Sequence, residues 1–194
     1  MTRSLRIAIA DDELDTREHF AAVLPLLGHE VVGIASNGRE LVQLAEELQP
    51  ELIISDVKMP EMDGIEAADA ICSQRIVPVI LISAFHEREL VQRAAERRVL
   101  AYLVKPVKKA DLEAAIAIVI RRFDEFQSLR KEAADAKQAL EDRKLIERAK
   151  GMLMKRADLQ EDEAFRRLQK LARSRNKKLV EVAEMILAAD EILG

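Results

Sequence analysis

Five short apolar runs alternate with amphipathic segments over residues 1–120, and this alternation restricts the folds open to that part of the chain. The runs cover residues 5–10, 30–35, 51–55, 77–83 and 99–104. Most of them are nearly continuous in apolar residues, which is typical of strands that helices cover on both faces. Strands that alternate with helices predict a parallel sheet with right-handed crossovers. The fold class that we predict is therefore α/β, a doubly wound, five-stranded parallel sheet of flavodoxin-like topology with strand order 2-1-3-4-5.

The pattern changes after about residue 108, where the strand signal stops. Residues 111–155 contain no proline and a single glycine, Gly151, so we predict a long helix. Within it lies a seam of apolar residues spaced alternately by three and four positions. The seam consists of Phe126, Leu129, Ala133, Ala136 and Leu140. About two such heptads indicate a weak coiled coil between two copies of the chain, although the same pattern also fits a solvated helix that packs on its own domain.

Residues 140–194 show apolar residues at helical spacing in three short segments. The first segment ends near Arg156, and the third covers about residues 179–192. The second begins either after a cap at Asp158 or at Gln160 and Glu161. The chain then divides into three predicted parts, which are an α/β domain at 1–120, a helical, coiled-coil-like linker at 121–139 and a small all-α three-helix domain at 140–194.

The composition favours a protein of the cytoplasm. Cys72 is the only cysteine, which excludes an internal disulfide and fits a reducing compartment. No segment approaches the roughly 18 to 20 apolar residues of a membrane span, and the N-terminus lacks the long apolar run of a signal peptide. We therefore expect a cytoplasmic protein without a membrane partner. The histidines show no metal-ligand spacing, and we expect all three at the surface: His19, His29 and His86.

Charge is distributed unevenly along the chain. Residues 143–178 contain 13 Lys or Arg residues and 5 Asp or Glu residues, a local balance of +8, although the whole chain has a net charge of −4. A basic segment in an otherwise acidic chain indicates a polyanionic partner for that segment alone.

Polar residues follow the predicted strands where those strands end. Asp11 and Asp12 follow the first run, Asp56 follows the third, Ser83 ends the fourth and Lys105 follows the fifth. Because ligands of such sheets bind beyond the carboxyl ends of the strands, we expect these side chains to lie together. Clustered carboxylates attract Mg²⁺, a carboxylate can accept a phosphoryl group, and a lysine and a hydroxyl can stabilise the group once it arrives.

Residues 5–120 resemble the response-regulator receiver family. The motifs that carry the resemblance are Asp11-Asp12, Asp56 within Ile-Ile-Ser-Asp-Val-Lys-Met-Pro, Met62-Asp63-Gly64, Ser83-Ala84 and Lys105-Pro106. The resemblance implies that Asp56 is the phosphoacceptor and that a sensor histidine kinase is a partner. It implies that Mg²⁺ is bound by Asp11, Asp12, Asp56 and the backbone carbonyl of Lys58. Ser83, Tyr102 and Lys105 would form the switch.

The same resemblance implies a cis peptide bond between Lys105 and Pro106. It also implies that the protein is not an enzyme, since a receiver catalyses only its own aspartyl phosphorylation and dephosphorylation.

Residues 140–194 resemble the ANTAR domain, a three-helix RNA-binding module of transcription antiterminators. The most specific motif is Ala149-Lys150-Gly151-Met152-Leu153-Met154, and further matches follow at Glu163-Ala164-Phe165, Leu168, Ala172-Arg173 and Asn176-Lys177-Lys178-Leu179. The resemblance implies binding to RNA hairpins in nascent transcripts and control of transcription antitermination. The residues that we expect at the RNA face are Lys150, Gly151, Arg173, Asn176 and Lys177. Phe165 is expected in the core.

Two alternative outputs for residues 140–194 remain open, a DNA-binding helix-turn-helix and a protein-docking domain. The helix-turn-helix is disfavoured because the links between the predicted helices lack the usual short turn with glycine.

Overall fold

The computed structural model describes residues 3–84 and 101–193, with only the backbone of residues 190–193. His86 and residues 99–100 of the fifth apolar run lie outside the described residues. The chain divides into two compact units, Met1–Phe126 and Gln127–Gly194. The predicted division at 1–120, 121–139 and 140–194 stays a prediction.

The first unit contains a parallel sheet of five strands in the order β2-β1-β3-β4-β5, and the predicted fold class is confirmed. The strands are β1 Arg6–Ala10, β2 Glu30–Ala35, β3 Leu52–Asp56, β4 Val79–Ser83 and β5 Ala101–Val104. The helices described in this unit are α1 Leu14–Leu26, α2 Gly38–Leu48, α3 Gly64–Gln74 and the first part of α4, Lys109–Ala157.

An aliphatic core lies on each face of the sheet. Every residue of β3 and β4 is buried, and successive side chains enter opposite cores, as the pleat requires. Ile53 packs with Leu81 and the helices α2 and α3, whereas Ile54 packs with Ile82 and the helices α1 and α4. Each such side chain contributes about 1.5–3 kcal/mol through burial. The two cores hold the carboxyl ends of the strands in fixed positions at one edge.

The loop between β3 and α3 is confined by two glycines. A Cβ atom at Gly64 would clash with the backbone carbonyl of Asp56, and a Cβ atom at Gly38 would clash with the carbonyl of Met62. Asp63 caps α3, since its Oδ1 accepts a hydrogen bond from the Glu66 amide at 2.7 Å, while the Asp63 amide donates to Glu66 Oε2 at 3.2 Å. The loop after Asp56 is therefore held by close contacts with Gly38 and Gly64 and by the cap at Asp63.

The second unit consists of the C-terminal part of α4 with α5 Glu161–Arg175 and α6 Leu179–Leu193. Its core is small and is formed by Ala149, Leu168, Ala172, Val182 and Ala183. The first of the three predicted helices is continuous with the long helix α4, because no proline or helix-ending glycine interrupts residues 109–157.

The turn between α4 and α5 decides between the two predicted starts of α5. Asp158 adopts a left-handed conformation with φ of 49°, and the Leu159 amide donates to the Met154 carbonyl at 3.3 Å, so Asp158 ends α4. Gln160 is the N-cap of α5. Asn176, also left-handed, ends α5.

Several expectations from the sequence concern exposure. Cys72 is buried and is a free thiol. His19 is exposed, whereas His29 is half-buried and accepts a hydrogen bond from the Leu5 amide. Phe165 is partly exposed, so its expected place in the core was wrong. Among the described residues, no helix has both the length and the hydrophobicity that a membrane span requires.

Candidate functional site

Lys105 lies at the centre of an acidic cluster at the carboxyl edge of the sheet. Its Nζ contacts Asp11 Oδ2 at 2.9 Å, Asp56 Oδ1 at 3.0 Å and Glu13 Oε2 at 3.3 Å. The side chains of Asp11 and Asp56 are only 2% and 7% exposed, and that of Lys105 is 20% exposed. The structure thus brings together the last residue of β3 with residues that follow β1 and β5.

Burial and the neighbouring charges act on these groups in opposite directions. Burial raises the pKa of the Asp56 carboxyl above its usual value, while the hydrogen bond and the charge of Lys105 work to lower it. Burial works to lower the pKa of the Lys105 ammonium, but its contacts with Asp11 and Asp56 outweigh burial and raise that pKa far above its usual value. Lys105 therefore stays protonated, and Asp56 is held in a position that is unfavourable for a charge.

The loop after β1 is fixed through its backbone. The Asp11 amide donates to the Ala35 carbonyl at 3.2 Å, and the Arg17 guanidinium donates to the carbonyls of Asp11 and Asp12 at 2.7 Å and 3.0 Å. The Asp12 side chain is exposed. The loop therefore directs Asp11 into the cluster and leaves Asp12 open to solvent beside it.

The carboxylates of this cluster are suitable ligands for Mg²⁺. Oδ2 of Asp11 is buried, and its ion pair with Lys105 is not accompanied by a hydrogen bond from another described residue. Asp11 Oδ2 and Asp56 Oδ1 contact the same nitrogen, so they are no farther apart than the sum of those two distances. No group of three His, Cys, Asp or Glu side chains in the described residues forms a metal site by itself. Mg²⁺ does not need one, because it usually takes one or two carboxylates together with water and phosphate.

The other residues that the resemblance implied lie around this cluster. The Lys58 amide donates to Asp56 Oδ2 at 2.8 Å, which orients the carboxylate. Ser83 is buried at the end of β4, and its carbonyl accepts from the Lys105 amide at 2.8 Å. Tyr102 is half-buried in β5, opposite Leu81 of β4. The Lys105–Pro106 peptide bond is cis, as the resemblance implied.

Glu13 is a member of the cluster that sequence reasoning missed. It follows Asp11 and Asp12 directly, so an acidic triplet rather than a pair was visible in the sequence. Its amide donates to Asp11 Oδ1 at 3.0 Å, and its contact with Lys105 is among the causes that lower the pKa of its carboxyl, after its hydrogen bond with Thr16.

The predicted RNA-face residues fall into two groups in the second unit. Arg173, Asn176 and Lys177 are exposed at the end of α5 and in the turn that follows. Gly151 lies on α4, and a Cβ atom there would meet no described atom within 4 Å. Lys150 differs from the others, because its side chain is only 12% exposed and its ammonium contacts two carboxylates. These are Glu147 at 2.5 Å and Glu161 at 2.7 Å.

Comparisons with known proteins divide the chain in the same way. The model of the response regulator receiver domain matches residues 7–117, and that of the ANTAR domain matches residues 134–187. The chain is 44% identical over 189 residues to the transcriptional regulatory protein PdtaR of Mycobacterium tuberculosis, covering 97% of this chain and 91% of that protein. It is 34% identical over 141 residues to the regulatory protein AtoC of Escherichia coli, covering 72% of this chain and 30% of that one.

Two solved structures of similar fold each cover about 60% of the chain. The signal receiver domain of the response regulator NarL from M. tuberculosis has a TM-score of 0.57 and 30% identity, covering 60% of this chain and 95% of that one. A LuxR-family DNA-binding response regulator from Staphylococcus aureus has a TM-score of 0.57 and 27% identity, covering 59% and 98%.

Proposed function

Since the chain belongs to the response regulators that join a receiver domain to an ANTAR domain, we propose that phosphorylation of Asp56 controls RNA binding by residues 140–194. The family assigns the protein a kinase partner and an RNA-binding output. Both matched families are regulatory modules. The only chemistry that we propose for the chain is phosphorylation and dephosphorylation of its own aspartate.

The contact of one ammonium with two buried carboxylates is the observation that supports Asp56 as the phosphoacceptor. A carboxylate oxygen of Asp56 attacks the phosphorus, the new P–O bond forms, and the bond to the histidine of a sensor kinase breaks. Asp11, Asp12, Asp56 and the backbone carbonyl of Lys58 would hold Mg²⁺, which draws charge from the phosphoryl oxygens. Lys105 already lies at Asp56 and stabilises the charge of the arriving group without rearranging.

Ser83, Tyr102 and Lys105 form the proposed switch. A phosphoryl group on Asp56 competes with Asp11 and Glu13 for the Lys105 ammonium, since all three are anionic partners of one cation. Ser83, buried at the end of the neighbouring strand, is placed to donate its hydroxyl to a phosphoryl oxygen. Tyr102 lies three residues before Lys105 and reports the change along β5.

Phosphorylation can be tested with acetyl phosphate and the full chain. We expect one phosphoryl group, on Asp56, and only with Mg²⁺ present. The variant Asp56→Asn should not be labelled, and Asp12→Ala should need more Mg²⁺. Asp15→Asn, which removes an exposed carboxylate from the first turn of α1, serves as the matched control. Labelling of Asp56→Asn, or labelling of the wild type without a divalent metal, would contradict the assignment.

The output that we propose is binding to RNA hairpins in nascent transcripts, with transcription antitermination as its result. Arg173, Asn176 and Lys177 support this output, because three exposed polar or cationic side chains lie within one turn at the end of α5. Gly151 adds an open stretch of helix surface where a ribose–phosphate strand can approach closely. Lys150 is the fifth proposed contact. Phosphate contacts of this kind make affinity strongly dependent on salt.

Fluorescence anisotropy with a hairpin RNA over a salt series tests the output. Arg173→Ala and Lys177→Ala should each weaken binding and lower the salt slope by about 0.7–0.9. Lys131→Ala, an exposed lysine of α4 outside the predicted RNA face, is the control. Duplex DNA of the same length discriminates the alternative of a DNA-binding output. Absence of binding to either nucleic acid would favour a protein-docking output instead.

We further propose that the seam on α4 joins two copies of the chain when the receiver is phosphorylated. Phe126, Leu129 and Leu140 are 49%, 65% and 54% exposed, so the described part of the chain does not cover them. Sedimentation of Leu129→Lys with and without phosphodonor should show a loss of dimer. The control Ile118→Lys changes a similarly exposed residue of the same helix outside the seam. Identical masses of the phosphorylated and unphosphorylated wild type would contradict the proposal.

A further inference from the structure

The contacts of Lys150 set it apart from the other basic residues proposed for RNA binding. Lys150 Nζ is 2.7 Å from Glu161 Oε1 and 2.5 Å from Glu147 Oε2, and little of its side chain is exposed. The hydrogen bond from Lys150 lowers the pKa of the Glu161 carboxyl, and the hydrogen bonds from Glu147 and then Glu161 raise the pKa of the Lys150 ammonium. Lys150 and Glu161 thus remain charged and paired at neutral pH.

The backbone builds this arrangement from two helices. Glu147 lies one turn before Lys150 on α4, where residues three apart are neighbours on the helix surface. Glu161 is the first residue of α5 and reaches Lys150 because the left-handed residue Asp158 reverses the chain between the helices. A short turn therefore delivers the second carboxylate to a lysine eleven residues earlier.

We infer that Glu147 and Glu161 form a carboxylate clamp that withholds Lys150 from phosphate groups, and that a polyanion gains this contact only by displacing Glu161. The inference deepens the proposed RNA-binding function and rests on it for the identity of the polyanion. Two carboxylates and one ammonium leave a local charge of −1, so the clamped position repels phosphate. Opening the clamp replaces one anionic partner of Lys150 with another, so the net gain in binding free energy is small. Only a ligand that is already held elsewhere on the unit brings a phosphate close enough to compete.

The clamp consequently makes Glu161 a specificity-determining residue. Weakly held polyanions fail to reach Lys150, whereas a ligand that also contacts Arg173 or Lys177 is positioned to displace Glu161. Removing the Glu161 charge should therefore strengthen binding of any polyanion and reduce the difference in affinity between a hairpin RNA and an unstructured one.

The experiment compares full-length wild type with Glu161→Gln and with Asp162→Asn. Asp162 is exposed in the same first turn of α5, so this control changes the net charge equally without touching Lys150. The probes are a hairpin RNA, polyuridine and inorganic polyphosphate, titrated by anisotropy or calorimetry over a salt series. Glu161→Gln should lower the Kd about two- to five-fold at low salt, the range of an exposed ion pair. It should also steepen the salt slope for polyuridine by about 0.7–0.9, one added phosphate contact, and leave the slope for the hairpin RNA nearly unchanged.

Two further measurements attribute the effect to Lys150. In the double variant Glu161→Gln/Lys150→Met the gain in affinity should vanish, as a double-mutant cycle requires of coupled residues. Acylation of lysines, followed by mass spectrometry, should show Lys150 reacting faster relative to the exposed Lys155 in Glu161→Gln but not in Asp162→Asn.

The outcomes separate this inference from the proposed function. Equal gains for Glu161→Gln and Asp162→Asn, a gain that survives loss of Lys150, or weaker binding by Glu161→Gln each overturn the clamp. Wild type that binds polyphosphate but no RNA overturns the proposed RNA function. In that case a stronger, Lys150-dependent binding of polyphosphate by Glu161→Gln still supports the clamp.

Discussion

Replacement of Lys105 by alanine should destabilise the first unit even without any phosphate present. The side chains of Asp11 and Asp56 are almost fully buried, and Lys105 Nζ is the cation within 3.0 Å of both. Removing it leaves two like charges close together in a poorly hydrated site. Deleting one partner of a buried ion pair costs more than the pair contributes, because the remaining charge loses its compensation.

The size of the effect follows from the burial of the three groups. Breaking a buried pair typically costs about 3–5 kcal/mol. Part of the Lys105 side chain remains open to water, which can enter the space of the missing ammonium, so we take the lower end, about 3 kcal/mol. In a unit of this size, that loss should lower Tm by roughly 10 °C.

Urea unfolding of the full chain, followed by tyrosine fluorescence, measures this loss of stability in the first structural unit. The chain contains one tyrosine, Tyr102 in β5, and no tryptophan, so the signal reports the sheet. The exposed Lys109 provides the control variant Lys109→Ala. Millimolar Mg²⁺ should restore part of the stability of Lys105→Ala, because a cation that binds the native carboxylates stabilises the folded state by mass action.

The double variant Asp56→Asn/Lys105→Ala supplies the critical comparison. It should be more stable than Lys105→Ala alone, since one of the two uncompensated charges is gone. If Lys105→Ala in EDTA lies within about 1 kcal/mol of the wild type, or if Asp56→Asn does not rescue it, then burial of uncompensated charge is not what Lys105 prevents.

Three further predictions are also tested by urea unfolding of the full chain. Burial raises the folded-state pKa of Asp56 above its usual 3.8. The wild type should therefore lose stability relative to Asp56→Asn as the pH rises from about 3.8 through the raised pKa. Parallel stability profiles of the two proteins over this pH range would contradict the prediction. Gly64→Ala should cost about 3 kcal/mol through its clash with the Asp56 carbonyl. Gly151→Ala, in open space in the second unit, should raise helix stability by up to about 1 kcal/mol when unfolding is followed by far-UV circular dichroism, and the reverse order of the two effects would refute the packing described. Asp63→Ala should cost about 1 kcal/mol by removing the cap of α3, and an unchanged midpoint would show that the cap is not needed.

The receiver fold was predictable because its signals are local and repeated. The bounds of β2 agree with the predicted run at residues 30–35, and β3 and β4 differ from theirs by one or two residues. Short, nearly continuous apolar runs of this kind are typical of strands in a sheet that helices cover on both faces, so they predict few other folds. The predicted strand order then places Asp11, Asp56 and Lys105 close together, because parallel strands end at a common edge of the sheet.

Contacts that depend on turns were not predictable in this way. Glu13 reaches Lys105 from the loop after β1, which Arg17 holds through two backbone carbonyls. Lys150 meets Glu161 only because Asp158 takes a left-handed conformation, which no charge pattern reveals. A count of basic residues treats Lys150 and Lys177 alike, whereas the structure shows one paired and little exposed and the other exposed.

The close approach of Gly38 to Met62 has a consequence for the natural variation that this protein can tolerate. Gly38 opens α2 and carries no reactive group, yet any side chain there meets the backbone of the loop after Asp56. In a saturation mutagenesis library selected for signalling, position 38 should therefore reject every substitution as strictly as position 56 does. Alanine at position 38 should survive only together with a second change that moves residue 62. Such paired survival would identify a structural dependence between α2 and the phosphorylation loop without any measurement of phosphorylation.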